Sequence, residues 1–168
     1  GILSIQLMPE LVYARNLPFD GFPEKHRKEA WQAYNYLKSI IDLPDRFGNQ
    51  PYTRAFWGQS SARLNYKSLS LGISTENLWW GPGQKNSLMM SNTAPGFKHL
   101  TFNTTKPVHT PIGSFEWQLV SGKLENSGFY GLDSVMLRSK GITPRLKRDD
   151  WMYLNAITVN YQPRWFPG

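Results

Sequence analysis

The sequence predicts an all-β chain: a fragment of a large antiparallel transmembrane β-barrel, with one loop or plug helix near residues 24–42. Three observations lead there. Apolar and polar residues alternate over stretches of about ten, the length a tilted strand needs to cross a bilayer. The polar phase of these stretches is Ser, Gly, Asn, Gln, Arg and Glu, small or hydrogen-bonding side chains of mixed charge that suit a wet lumen. Aromatic residues gather at strand ends, at Trp79, Trp80, Trp151, Trp165 and Phe166, as in interfacial girdles. Periodicity alone leaves a soluble β-sandwich open, because its strands alternate in the same way.

The elements follow in order. In "ILSIQLMPELVY", Leu3, Ile5 and Leu7 share one face and Ser4 and Gln6 the other, and Pro9 bends or weakens the strand. Residues 16–53 break the alternation. After Pro23, Ala30, Tyr34, Leu37 and Ile41 form a helical stripe, which places a helix at about 24–42. Lys25, Arg27 and Lys28 then sit in its first turn, against the preference of the helix dipole, which points to an anionic partner or to a solvated loop helix. Arg54–Asn77 reads as a hairpin turning near Lys67–Ser68. Phe56, Leu64 and Tyr66 lie on one face before the turn, and Leu69, Leu71 and Ile73 after it. A second hairpin joins Phe97–Thr105 to Ile112–Glu125 around "KPVHTP". A polar stretch, 126–150, precedes the last strand, "WMYLNAITVNYQP". The total is about six strands and one helix in a single domain. Six strands cannot close a membrane barrel, whose smallest form has eight. Gly1 and the terminal "PRWFPG" also read as cuts through a longer protein, so the absence of a visible signal peptide says little about location. For an outer-membrane barrel, a secretory signal peptide is expected in the parent protein, outside this chain.

The 168 residues carry 19 Lys+Arg against 12 Asp+Glu, a net charge of +7, and no cysteine. Disulfides, thiolate catalysis and cysteine-based zinc sites are excluded. His26, His99 and His109 show no metal-ligand spacing, and neither a metal nor a cofactor is expected. The positive charge raises the question of nucleic acid, but the basic residues are spread over loops and fit no nucleic-acid-binding module.

The stretch "STENLWWGPGQKNSLMMSNTAPGF" holds the candidate site. A glycosidase needs two carboxylates about 5–10 Å apart. Glu76, Glu116 and Glu125 are the possible members, yet nothing local marks a pair, and Glu76 opposite Arg63 reads more simply as an ion pair. No catalytic residue is assigned. "GPG" is a turn and lacks the register of a phosphate loop. Trp79 and Trp80 offer ring faces for sugar stacking, and Asn77, Gln84, Asn86, Ser87 and Asn92 offer groups for hydroxyls. Adjacent strand residues point oppositely, so the plainer expectation is one tryptophan toward lipid and one inward.

These residues also resemble the signature of the Wzi-type capsule assembly proteins. Trp79, Trp80, Gly81 and Pro82 match its Trp-Trp-Gly-Pro turn, and Ser87, Leu88, Ser91, Asn92, Ala94 and Pro95 match the run leading into the next strand. The resemblance implies a large bacterial outer-membrane barrel that anchors capsular polysaccharide, lectin-like and without catalysis. Gliding-motility outer-membrane proteins carry the same domain, and Gly83–Asn86 with the Met89–Met90 pair is similar to that branch. The expected partners are therefore the lipid bilayer, an acidic surface polysaccharide and other outer-membrane proteins, with no nucleic acid. Glu76 joins the motif site, and Lys25, Arg27, Lys28, Lys140, Arg145, Lys147 and Arg148 are the basic candidates for glycan contact. The alternatives carried forward are a structural or adhesion component of a motility or secretion complex, and a soluble carbohydrate-binding β-sandwich.

Overall fold

The computed structural model describes residues 1–41, 44–92, 94–129, 134–145 and 152–165. Within them the chain runs β1 (Leu3–Gln6), β2 (Glu10–Ala14), α1 (Lys28–Ile40), β3 (Tyr52–Phe56), β4 (Ser61–Tyr66), β5 (Leu69–Ser74), β6 (His99–Thr104), β7 (Val108–Thr110), β8 (Gly113–Leu124), α2 (Ser134–Ser139) and β9 (Met152–Pro163). Strands dominate, and the main sheet is antiparallel throughout, as the alternation predicts. No helix among the described residues is long and apolar enough to cross a membrane. The chain divides into two compact units. The first is Gly1–Leu11, Ala55–Glu125 and Trp151–Gly168, and the second is Val12–Arg54 and Asn126–Asp150.

The main sheet is a meander of six lanes in the order β1, β4, β5, β6 with β7, β8 and β9; β2 and β3 pair separately as a two-stranded ribbon. The expected six strands are present, three of them interrupted. The first breaks around Pro9, where Met8 N–H turns to Ser60 Oγ (2.9 Å). The second breaks opposite, between β3 and β4. The third breaks at Thr105–Pro107, so the segment expected to form a long turn, "KPVHTP", supplies β7 instead. The turn tightens to Pro111–Ile112, and Thr110 Oγ1 donates to the Gly113 carbonyl (2.7 Å).

The register sets the two ends of the sheet apart. Gln6 pairs with Ser61, Ser61 with Ser74, Ser74 with His99 and His99 with Gly122. The long connections 7–60, 75–98 and 125–151 therefore all leave from one end of the strands. Lys67–Ser68 and Pro111–Ile112 close the other end with two residues each.

The register also sorts the side chains. One face carries the rows Leu3–Leu64–Leu71–Phe102–Leu119–Ile157 and Ile5–Ala62–Ile73–Leu100–Ser121–Asn155. Leu64, Ile73 and Ile157 on this apolar face are 58%, 65% and 61% exposed. The other face carries Ser4–Arg63–Gly72–Thr101–Val120–Ala156 and Gln6–Ser61–Ser74–His99–Gly122–Leu154. There Ser70, Ser74, His99, Thr101 and Val120 are buried. In a water-soluble sheet the apolar face is the one that hides; here the polar face is covered and the apolar face is open.

The second unit has its own core of Trp31, Leu137 and Ile142, with Phe22 and Met136 packed against it. The helix is shorter than the expected 24–42. His26 N–H bonds the Pro23 carbonyl in a turn (3.1 Å), and α1 begins only at Lys28. Lys25 and Arg27 therefore precede the helix, and the acidic Glu29 occupies its first turn, in agreement with the dipole. The buried side is Trp31 and Asn35 rather than the stripe Ala30–Tyr34–Leu37–Ile41; Leu37 and Ile41 are exposed. Asn35 is buried because it accepts from Arg145 N–H (3.4 Å) and donates to the Thr143 carbonyl (3.3 Å). Helix α2, within the stretch expected to be polar loop, has six residues. That is too short to hold without the packing of Leu137.

Candidate functional site

The covered polar face is built first by an ion pair. Arg63 on β4 pairs with Glu76, just beyond β5, as their opposition in sequence suggested. Ser61 and Ser74 hydroxyls donate to the same carboxylate (3.0 and 3.1 Å), and Arg63 donates to Asn103 Oδ1 (3.2 Å). Gly72, directly opposite Arg63, makes room for it. A Cβ there would lie 2.8 Å from Arg63 Cα and Cγ and would meet the Ala62 carbonyl. The carboxylate of Glu76 is thus ion-paired and accepts from three side chains, a bracing role rather than that of a free acid or base.

The connection after β5 folds over this face. Gly81 takes a left-handed φ of 99°, and Leu88 N–H closes the loop onto the Trp80 carbonyl (2.8 Å). Trp79 Nε1 donates to the Gly83 carbonyl (2.8 Å). Trp80 reaches the sheet, its Nε1 donating to Gln118 Oε1 (2.7 Å). The result is a cleft of about 370 Å³ walled by Trp79, Trp80 and Gly81. Asn103, Glu116, Gln118, Thr158 and Asn160 line the strands facing them. Amide, hydroxyl and carboxylate groups facing two indoles suit a hydroxyl-rich ring ligand. Glu116 is the single carboxylate among these lining residues, so the paired carboxylates of glycosidase chemistry are not assembled there.

The other expected residues fall elsewhere. Asn77 N–H is held by Gln59 Oε1 (2.8 Å), and Asn77 Nδ2 donates to Asn92 Oδ1 (3.1 Å). Together with Glu10 they line a separate recess of about 510 Å³. Gln84 and Asn86 are exposed on the loop and line neither space. Ser87 Oγ donates to the Met89 carbonyl (3.2 Å), which fixes the loop, and Ser91 is half-buried. Asn103, Gln118, Thr158 and Asn160 were not among the expected site residues; their signal is the polar phase of strands β6, β8 and β9.

In the second unit, Lys140 Nζ donates to the Glu24 carbonyl (2.6 Å), and Lys28 Nζ lies 3.5 Å from where a Cβ on Gly141 would stand. The fold thereby gathers Lys28 and Lys140 with Lys25 and Arg27 nearby in sequence. Arg145 stacks over Tyr36 (5.4 Å), and Lys147 and Arg148 lie outside the described residues, as do Trp151 and Phe166. Tyr34 donates to Asp45 (2.5 Å); burial and that carboxylate raise its phenol above the usual tyrosine range. Among the described residues no cluster of three His, Asp or Glu could hold a metal ion.

Against known proteins, no curated protein and no solved structure matches the chain. A family model does: that of the capsule assembly protein Wzi, over residues 48–144. The match spans β3 to α2 and includes the whole Trp79–Pro95 loop that forms the cleft. It covers more than half of the chain, which therefore belongs to the capsule assembly protein Wzi family.

Proposed function

We propose that the chain supplies six lanes of a larger outer-membrane β-barrel in bacteria. There it binds surface polysaccharide during capsule assembly and catalyses no reaction. The observation that carries this is the reversed sheet, with its apolar rows open and its polar rows covered. A lipid-facing wall around a wet interior has that polarity, and a soluble sandwich has the opposite one. Paired strands of 12 residues, β8 and β9, are long enough: about 40 Å of strand, or about 28 Å of height at a tilt near 45°. Long connections at one end and two-residue turns at the other fit the usual asymmetry of such barrels. Edge strands β1 and β9 have no outer partner among the described residues, and lipid does not tolerate open edges. Further strands are therefore required.

The cleft of Trp79, Trp80, Gln118 and Asn160 supports polysaccharide as the ligand, through ring stacking and hydroxyl bonding. The lysines around the start of α1 suit acidic sugars, and their share of binding should weaken as salt rises. The first test is fractionation of the full-length protein, with boiled and unboiled samples compared on a gel. An outer-membrane band that migrates faster unboiled supports the barrel. A soluble protein without a heat shift sinks it. With the barrel established, Trp80→Ala with Gln118→Ala should reduce polysaccharide retention on cells; unchanged retention removes the cleft from the proposal.

A further inference from the structure

The open apolar face is not uniform. Its central row is large throughout, from Leu3 to Ile157. Toward the end with the long connections, small residues interrupt it: Ala62 and Ser121 in the next row, then Ser60 and Thr75. The outcome is a groove of about 490 Å³, walled by Ile5, Leu7, Trp57, Ile73 and Leu100. The hydroxyls in it are already spent: Ser121 Oγ donates to Asn155 Oδ1 (2.6 Å), and those of Ser60 and Thr75 go to the backbone. Ser60 Oγ donates to the Trp57 carbonyl (2.5 Å) and Thr75 Oγ1 to the Gly58 carbonyl (2.8 Å). The groove therefore presents hydrocarbon with no unspent hydroxyl donor, a surface that excludes sugars and accepts an acyl chain. At its mouth stands Lys98, exposed, lining the groove and in no ion pair among the described residues.

We propose that this groove is a lipid site, taking an acyl chain of a phosphorylated, multiply acylated lipid of the outer leaflet with its phosphate on Lys98. The charge complementarity is specific to one end. The groove opens where the long connections leave, Trp57 supplies an indole at the level of the headgroups, and Lys98 a cation beside it. A zwitterionic lipid fills the hydrocarbon part and gains little from Lys98. A free phosphate gains Lys98 alone and leaves the groove empty.

This inference rests on the barrel reading, and the test separates the two. Full-length protein in dodecyl maltoside is first checked for its heat-dependent gel shift. It is then titrated with lipid A (a diphosphorylated, multiply acylated disaccharide), with dioleoyl phosphatidylcholine and with inorganic phosphate, and adducts are read by native mass spectrometry. Lys98→Gln should weaken lipid A retention about fivefold, the effect of one interfacial cation. Ala62→Phe, which fills the groove, should weaken it at least as much. A heat-shifting protein with equal lipid A adducts in wild type and both variants overturns the lipid site and leaves the barrel standing. Lys98-dependent binding of inorganic phosphate without lipid A adducts also overturns it. A protein with no heat shift overturns the barrel and the lipid site together. If Ala62→Phe fails to shift on the gel, Lys98→Gln, at an exposed position, decides alone.

Discussion

Replacing Ile157 by Arg tests the polarity of the sheet at the mid-height of its strands. Ile157 pairs with Leu119 midway along the 12-residue ladder of β8 and β9, and its side chain is 61% exposed. On a water-facing surface the change is worth within about ±0.5 kcal/mol. At a bilayer midplane an arginine on a barrel's outer wall costs about 2–4 kcal/mol, a factor of roughly 30 to 700 in the folding equilibrium. Tyr153, on the same face but near the end with the long connections, is the depth control. It is 66% exposed, and Tyr153→Arg should cost only about 0–1 kcal/mol, because interfacial charges reach water. The assay is refolding of the full-length protein into liposomes across a urea series, with the heat-shifted band as the folded fraction. A loss at Ile157 several times that at Tyr153 is the expected result. Equal, small losses at both positions would refute the assignment of this face to lipid.

Other outcomes follow from single contacts. Arg63→Met should destabilise by about 1–3 kcal/mol, between the values for exposed and buried pairs, because both side chains are about a quarter exposed or less. Arg63→Met with Glu76→Gln should recover much of that in chemical denaturation, and no recovery would mean that the pair is not coupled. Leu137→Ala should cost about 2–5 kcal/mol and raise proteolysis within the second unit first, since Leu137 is 1% exposed in its core. Limited digestion followed by mass spectrometry locates the cuts. Tyr34 has a folded pKa raised above its unfolded value near 10, so its contribution to stability is complete below about pH 10 and is lost as pH rises beyond it. Tyr34→Phe should remove that part of the alkaline loss, measured as the difference in urea midpoints between pH 9 and pH 11.

The lanes of the sheet were legible because each carries its own period-two pattern. Leu69, Leu71 and Ile73 identify β5 whatever the rest of the chain does, and Arg63 facing Glu76 needed only the hairpin register. The helix was harder. Its buried side is chosen by residues about a hundred positions away: Leu137 covers Trp31, and Thr143 and Arg145 draw in Asn35, so the local stripe through Leu37 and Ile41 misleads. Helix α2 has too few residues to show a period. The cleft was half legible. The Trp79–Trp80 pair stands out in sequence, but Gln118 and Asn160 reach it only through the registers of β6 on β8 and β8 on β9. Gln84 and Asn86 look like ligands from composition alone, yet lie on the exposed turn of the loop.

The meander has a consequence for the order of assembly. From β4 to β9 every lane pairs with its neighbour in sequence, and the two hairpins with two-residue turns, β4–β5 and β7–β8, close early and locally. The β5–β6 and β8–β9 pairings must close the 75–98 and 125–151 connections, and the β1–β4 pairing the longest of all, 7–60. Closing that span in place of a two-residue turn costs about 3 kcal/mol more in chain entropy, by logarithmic scaling. The β2–β3 ribbon divides this cost, since pairing there draws the ends together before Leu3 meets Leu64. The first lane should thus be the last of the six to lock. On the proposed barrel reading, β4 would then keep a free edge after the lanes from β5 to β9 have set.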